Sequence, residues 1–330
     1  MSDSILDRLT DKSALLKLLE AQSGGRSREI SADQMAAKLR ERVRGQDHVI
    51  DDVSQLLMIE WAKEKRKRPI ANLLFLGPTG TGKTELAKAM AEYLYGDEKS
   101  LLYLECPSFS GPEAKTHLIG TPVGYVGSGQ GGKLTRPVIN NPKRVILFDE
   151  VEKAYSGVFD LFLPMMGDGR LTEQGSGEVA DFTQSVIILT SNAEAQAIGQ
   201  IQEQVEDYHE MVNAVKSHLA SSGVFRPEII GRIDRVYVFK PLEGIVIAEI
   251  AVMKMISAAK EYGLELQYVD PQVIFDAMVA GAKLAKFGIR ELDREISAVL
   301  GPSFVAAKQQ GAKRVRIGQA PNGDLQVELV

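Results

Sequence analysis

The sequence predicts an α/β protein: a parallel sheet covered by helices on both faces, followed by a smaller, mostly helical domain. Three observations carry this. Short apolar runs recur at Asn72 to Leu76, Leu101 to Leu104, Val145 to Phe148, Val186 to Thr190 and Val236 to Phe239, with helical patterns between several of them. Uninterrupted apolar runs, rather than apolar–polar alternation, are what strands buried on both faces require. The character then changes after Pro241, where helical patterns dominate. A chain of 330 residues also accommodates about two domains.

Taken in order, residues 4 to 20 place Ile5, Leu9, Leu16 and Leu19 on a short, imperfect helical stripe. Ser23-Gly24-Gly25-Arg26-Ser27 has the composition of a linker. Ser31, with Gln34 three residues on, predicts a capped helix whose apolar face carries Met35, Leu39 and Val43. After the five strands, residues 243 to 260, 271 to 283 and Glu291 to Gln309 read as helices. Arg314 to Ile317 and Asp324 to Leu329 alternate around Pro321-Asn322-Gly323, a hairpin signature. The expected division is an extension over residues 1–40, a large domain over 41–240 and a small domain over 241–330. No internal repeat with a period of about 20 to 50 residues is visible.

Composition excludes several classes. With 44% apolar and 25% charged residues the chain is an ordinary globular protein, not a disordered one. A net charge of -5 argues against coating nucleic acid through bulk positive charge. The single cysteine, Cys106, excludes a disulfide framework and a multi-thiolate zinc site. The amino terminus lacks a signal peptide's apolar core, and no run approaches the roughly 18 apolar residues of a membrane span. The expectation is a cytoplasmic protein.

The chemistry begins at Gly77-Pro78-Thr79-Gly80-Thr81-Gly82-Lys83-Thr84, a G-x-x-x-x-G-K-[ST] phosphate loop between an apolar strand and a helix. Its glycines allow backbone N–H groups to curl around phosphates at a helix N-terminus. Lys83 is expected to reach the β- and γ-phosphates of ATP, and the Thr84 hydroxyl to ligate Mg2+. Downstream, the strand Val145 to Phe148 ends in Asp149 and Glu150. Asp149 suits holding the magnesium through water, and Glu150 suits the general base for the attacking water. The dipeptide alone also fits two acids capping the next helix. Asn192, at the end of the strand Val186 to Thr190, is a candidate for orienting that water, although asparagine after a strand is commonly a turn residue.

With these motifs in place the chain resembles an AAA+ ATPase of the Clp unfoldase family, in particular the second ATPase module of ClpB and ClpA. The resemblance runs from about Val43 to Val330 through LFLGPTGTGKTELAKAMAEYLYG, LIGTPVGYVGSGQGGKLT, VILFDEVEKA, GDGRLTEQGSGEVADF, ILTSN, FRPEIIGRID and FGIRELDREI. It implies a three-layer P-loop AAA+ domain with a helical lid, working as a ring of identical chains, a hexamer. Val43, Gly45 and Gln46 match the segment lying against adenine, with Thr79, Gly80, Thr81 and Gly82 around the phosphates. Arg232 matches the arginine finger donated to a neighbouring subunit, with Arg226 as a second candidate. Arg290 matches the lid arginine that senses γ-phosphate. Each such role needs a planar, permanently charged group; without the resemblance all three read as surface or ion-pairing arginines. Tyr125 and Val126, in Gly124-Tyr125-Val126-Gly127, match the aromatic pore loop of protein-translocating members, and Gly167 to Asp181 resembles a second pore loop. The alternative for Tyr125 is a packed tyrosine in a glycine-rich turn.

No preceding ATPase module, middle domain or substrate-binding N-domain is recognisable, so the chain reads as a single-ring machine, with residues 1–40 available to an adaptor or partner. Ile198-Gly199-Gln200 departs from the protease-docking tripeptide by its polar third residue, and Tyr155 and Ile289 depart from the usual His and Ala. The basic run Lys63, Lys65, Arg66, Lys67 and Arg68 reads as a solvated helix end rather than a nucleic-acid contact. His48, His117, His209 and His218 have no metal spacing. The leading reading is an ATP-driven motor that unfolds, threads or remodels protein substrates. Competing readings are a AAA+ nucleic-acid motor or loader, and a nucleotide-gated assembly scaffold.

Overall fold

The computed structural model describes residues 29–122, 124–125, 129–284, 289–319 and 325–329. The helical stripe and linker expected before residue 29, and the hairpin turn expected at Pro321 to Gly323, lie outside them. Two helices open the described chain: α1 (Ala32–Arg40) and α2 (Asp47–Trp61). Ser31 caps α1, its hydroxyl accepting the Gln34 N–H at 3.4 Å.

Five strands, β1 (Ala71–Leu76), β2 (Leu101–Glu105), β3 (Val145–Asp149), β6 (Val186–Ser191) and β7 (Arg235–Val238), form one parallel sheet in the order β2-β3-β6-β1-β7. The expected strands are there, each within a residue or two of its sequence boundaries. Between β1 and β2 runs α3 (Lys83–Tyr95), and between β2 and β3 the short α4 (Ala114–Ile119) and α5 (Thr135–Asn140). After β3 come α6 (Phe159–Gly167) and a small antiparallel hairpin, β4 (Arg170–Thr172) with β5 (Val179–Asp181). Between β6 and β7 lie α7 (Ala195–Gln204), α8 (Tyr208–Ser222) and α9 (Pro227–Ile230).

Alternate residues of each central strand feed two different apolar layers, as the period of two demands. Leu74, Phe148 and Leu189 pack with Leu118, Phe162 and Leu219 on one face. Phe75, Leu147 and Ile188 pack with Leu39, Val53 and Met90 on the other. Both faces being covered, β1 and β6 are buried along their whole length. Polar ligand-binding groups are thereby confined to the ends of the strands.

The remaining chain holds α10 (Ile245–Glu261), β8 (Glu265–Val269), α11 (Pro271–Leu284), α12 (Ile289–Gln309), β9 (Arg314–Gln319) and β10 (Leu325–Leu329). Ala251, Met255, Leu300, Phe304, Val315 and Ile317 belong to a third apolar cluster. β9 and β10 pair antiparallel, as expected, but β8 is an addition: it pairs parallel to β9 with a register shift between Leu266 and Tyr268. Its side chains are exposed or half-buried throughout, so no apolar periodicity marks it. No helix among the described residues is long and apolar enough to cross a membrane. Cys106 is buried, which pushes its thiol up and away from nucleophilic character. Arg66 of the basic run caps the end of α2, donating to the Glu60 and Trp61 carbonyls.

Candidate nucleotide-binding site

A cavity of about 420 Å³ opens at the carboxyl ends of β1, β3 and β6, and α10 supplies its far wall. The phosphate loop follows β1. Gly77 adopts φ +133, and a Cβ there would fall 2.7 Å from the Phe239 carbonyl oxygen. Gly82, at φ 98, turns the chain into α3. Helix and loop therefore meet with backbone N–H groups at the cavity, and Thr79, Gly80, Thr81, Gly82, Lys83 and Thr84 all line it.

Lys83 is 7% exposed and uses all three of its donors. Its Nζ reaches the Gly77 carbonyl at 2.7 Å, the Pro78 carbonyl at 2.8 Å and Asn192 Oδ1 at 2.8 Å. Burial lowers its pKa to about 8, against the opposing pull of Asp149, Glu152 and Glu150.

The acids are held from the neighbouring strands. Thr190, on β6, donates its hydroxyl to Asp149 Oδ1 at 2.5 Å and accepts the Glu150 N–H at 3.0 Å. Tyr103, on β2, donates to Asp149 Oδ2 at 2.7 Å. Glu150 sits at φ 54, ψ 53, a left-handed conformation that costs a non-glycine residue about 1–3 kcal/mol and is concentrated at functional sites. Its Oε1 accepts the Asn192 side-chain amide at 3.1 Å. Asn192 thus bridges Lys83 and Glu150 with the two ends of one amide, and its backbone N–H donates to Glu152 Oε1 at 3.2 Å.

The other expected residues separate. Val43 lines the cavity, whereas Gly45 and Gln46 are not among its lining residues. Gln46 is fully buried and spends its amide on the backbone, donating to the Lys240 carbonyl at 2.8 Å and accepting the Lys240 N–H at 3.0 Å. Gly45, at φ +73, faces Val246, whose Cγ1 would lie 2.8 Å from an added Cβ. Both tie this segment to the chain entering α10. Arg232 is exposed and does not line this cavity; its guanidinium rests against Gly167. Arg226 instead pairs with Asp160 at 2.8 Å. Arg290 lies in the first turn of α12, and its side chain is outside the described residues, as is Val126. Tyr125 is 70% exposed, away from the cavity.

Sequence reasoning did not single out Tyr103, Thr190 or Glu152, nor the α10 wall of Ile250, Met253, Lys254 and Ser257. For Thr190 a signal existed, a hydroxyl side chain directly after the apolar run Val186 to Leu189. The α10 residues lie among apolar positions that read as core.

The donor chemistry fits magnesium. Thr84 and Asp149 offer hard oxygen ligands at the cavity. Among the described residues, no group of three or more His, Cys, Asp or Glu forms a metal cage. That arrangement suits an ion held by one or two protein oxygens together with substrate phosphates.

Comparison with known proteins agrees with this geometry. Residues 68–236 match the model of the AAA domain (Cdc48 subfamily). The chaperone protein ClpB of Streptomyces albus G is 34% identical over 298 residues, 88% of this chain and 32% of that protein. The ClpB of Aquifex aeolicus is 45% identical over 210 residues, 62% of this chain and 21% of that protein. The negative regulator of genetic competence ClpC/MecB of Bacillus subtilis is 36% identical over 262 residues, 76% of this chain and 31% of that protein. The chain spans between about a fifth and a third of the length of these relatives. A parallel sheet with its phosphate loop at the carboxyl edge, matched by the family model over half its length, makes this chain a member of the AAA domain family, Cdc48 subfamily.

Proposed function

We propose that this chain is an ATPase that works in a ring of its own copies, a hexamer, to unfold, thread or remodel protein substrates. The observation that carries this is the Lys83–Asn192–Glu150 chain of hydrogen bonds beside Asp149, gathered in one cavity at the ends of three adjacent strands. The relatives named ClpB chaperones support the protein substrate. The proposed division keeps residues 1–40 as an adaptor-facing extension, 41–240 as the ATP-binding domain and 241–330 as the lid. The setting is cytoplasmic.

In this reading the phosphate-loop N–H groups and Lys83 bind the β- and γ-phosphates of ATP, and Val43 with the α10 wall encloses the base and sugar. Thr84 and Asp149 would hold Mg2+, which would supply charge neutralisation to the phosphates. Glu150 takes the proton of the attacking water at a carboxylate oxygen, and Asn192 orients that carboxylate. Tyr103 and Thr190 fix the two oxygens of Asp149. Arg232 leaves its own cavity free and serves that of the neighbouring subunit, and Arg290 senses the γ-phosphate within its own subunit. Tyr125 and Val126 contact the polypeptide.

The test is ATP turnover with and without an unfolded polypeptide. Turnover is expected to rise with the polypeptide, and Glu150→Gln to bind ATP while losing about 10²- to 10⁴-fold in turnover, the range of a general base. Full turnover by Glu150→Gln removes Glu150 from its role; turnover indifferent to polypeptide, with no client processed, favours the scaffold reading.

A further inference from the structure

Outside the nucleotide cavity, two loops meet on one buried acid. Glu173 opens the turn between β4 and β5 and is fully buried, at 0% exposure. Its Oε1 accepts the Gly132 N–H at 2.8 Å and the Thr135 hydroxyl at 3.2 Å. Its Oε2 accepts the Ser176 hydroxyl at 2.7 Å and a guanidinium N–H of Arg136. Gly132 ends the segment that begins after Gly120 and carries Tyr125, whereas Ser176 belongs to the β4–β5 turn. A single carboxylate therefore bonds both loops. Arg136, in the first turn of α5 just beyond the Tyr125 loop, bonds the β4–β5 turn a second time, donating to Glu178 Oε2 at 2.8 Å.

The backbone makes the same connection. Gln174 N–H donates to the Ile119 carbonyl at 2.8 Å, and Lys133 and Leu134 donate to the His117 and Leu118 carbonyls at 2.8 and 3.0 Å. The feet of the Tyr125 loop are glycine for a steric reason. A Cβ on Gly132 would fall 2.2 Å from the Leu118 oxygen, and one on Gly131, at φ +69, 3.0 Å from Glu173 Oε1. Burial opposes ionisation of Glu173, but the Gly132 N–H, the Ser176 hydroxyl, the Arg136 charge and the Thr135 hydroxyl outweigh it and hold the carboxyl below its ordinary value. A buried carboxylate is stable only while its donors stay in place. Displacing either loop alone removes donors from it.

We propose that Glu173 is a positioning residue that yokes the Tyr125 loop to the β4–β5 turn, so that the two shift as one unit. Its use in gripping a client rests on the reading of Tyr125 above; the coupling itself is measurable without a client. Glu173→Gln preserves shape, but either orientation of the new amide sets a donor against a donor. Hydrogen exchange of the folded ring is expected to quicken by about tenfold at amides 119–121 and 131–134 and also at 174–178, with α3 unchanged, because a local opening frees only the amides it bonds. Arg136→Ala, whose parent side chain is 37% exposed and tolerates truncation, is expected to quicken the same two segments by less. Faster exchange in only one segment, or in neither, overturns the yoke. If Glu173→Gln does not fold, Arg136→Ala decides by the same criterion. Both segments loosened with client processing unchanged leaves the yoke standing and sinks the gripping role of Tyr125.

Discussion

The nucleotide cavity and the Tyr125 loop are built on opposite plans. In the cavity each working polar group is bonded to another: Lys83 through three acceptors, Asp149 through both oxygens, Asn192 through both ends of its amide. Asp149 and Asn192 stand at the ends of central strands whose sides are covered by apolar layers, and Lys83 opens the helix that follows β1. The loop is bonded at its feet, through Gly132 and Glu173, while Tyr125 stands 70% exposed. The contrast is what the proposed tasks would require. Stabilising developing charge rewards donors that need no rearrangement at the moment of reaction. Pressing on polypeptides of varied sequence rewards an apolar ring presented to solvent. If the contrast is right, damage to the Tyr125 loop leaves basal ATP turnover intact, whereas damage to the cavity stops both.

The largest expected effect comes from Arg232, which sits outside its own cavity and so must act, if it acts, on another copy. Arg232→Ala is expected to bind ATP yet lose about 10³- to 10⁵-fold in turnover, the contribution of an arginine finger. Mixing it with Lys83→Ala is expected to restore part of the activity, since some interfaces then pair an intact arginine with an intact cavity. Mixed rings that form but stay inactive would place Arg232 within one subunit and break the comparison at its strongest point.

Tyr125 tests the other side. Tyr125→Ala is expected to leave ring assembly, melting temperature and basal ATP turnover unchanged while client processing falls roughly 30-fold, the ~2 kcal/mol that truncating an aromatic anchor costs. Tyr125→Phe is expected to retain most of that processing, because the ring area and not the hydroxyl carries the contact. Undiminished processing by a well-folded Tyr125→Ala ring removes the loop from the client path.

The two regions were also unequally legible in the sequence. The phosphate loop and the Asp149-Glu150 pair are local in sequence, so the cavity's phosphate side could be read residue by residue. Its walls could not. Ile250 and Met253 come from α10, whose apolar positions look the same whether they face a core or a ligand. Tyr103 reaches Asp149 only because β2 and β3 are neighbours in the sheet, which the order of strands along the chain does not state. Gln46 was expected beside the base, but its buried amide is committed to the Lys240 backbone, a long-range pairing without any local signature. β8 escaped for the complementary reason: an edge strand with half-buried and exposed side chains has no periodicity to display. The link between Glu173 and the Tyr125 loop joins residues some forty positions apart and was equally invisible.

The smallest expected effect, on pH, probes how fully the cavity is preorganised. Lys83 has its pKa lowered to about 8 by burial, so near pH 9 the empty site carries mostly a neutral amine. Bound phosphates restore the charge and lift the pKa again, which makes binding take up a proton. Affinity for ATP is therefore expected to fall about tenfold between pH 7 and pH 9, or about 1.4 kcal/mol. Folding responds with the opposite sign. The unfolded chain holds this proton up to its ordinary value of 10.5, so from about 8 to 10.5 the unfolded state binds more protons and the empty protein gains stability from this group as pH rises. Calorimetry of binding of a non-hydrolysable ATP analogue at pH 8, in two buffers of different ionisation enthalpy, reads the linkage directly. About half a proton is expected to be taken up, because phosphate groups with a second pKa near 6 are already ionised there. No uptake would mean that Lys83 is fully charged in the empty site, and that its three hydrogen bonds, with Asp149 and Glu150 nearby, already overcome its burial.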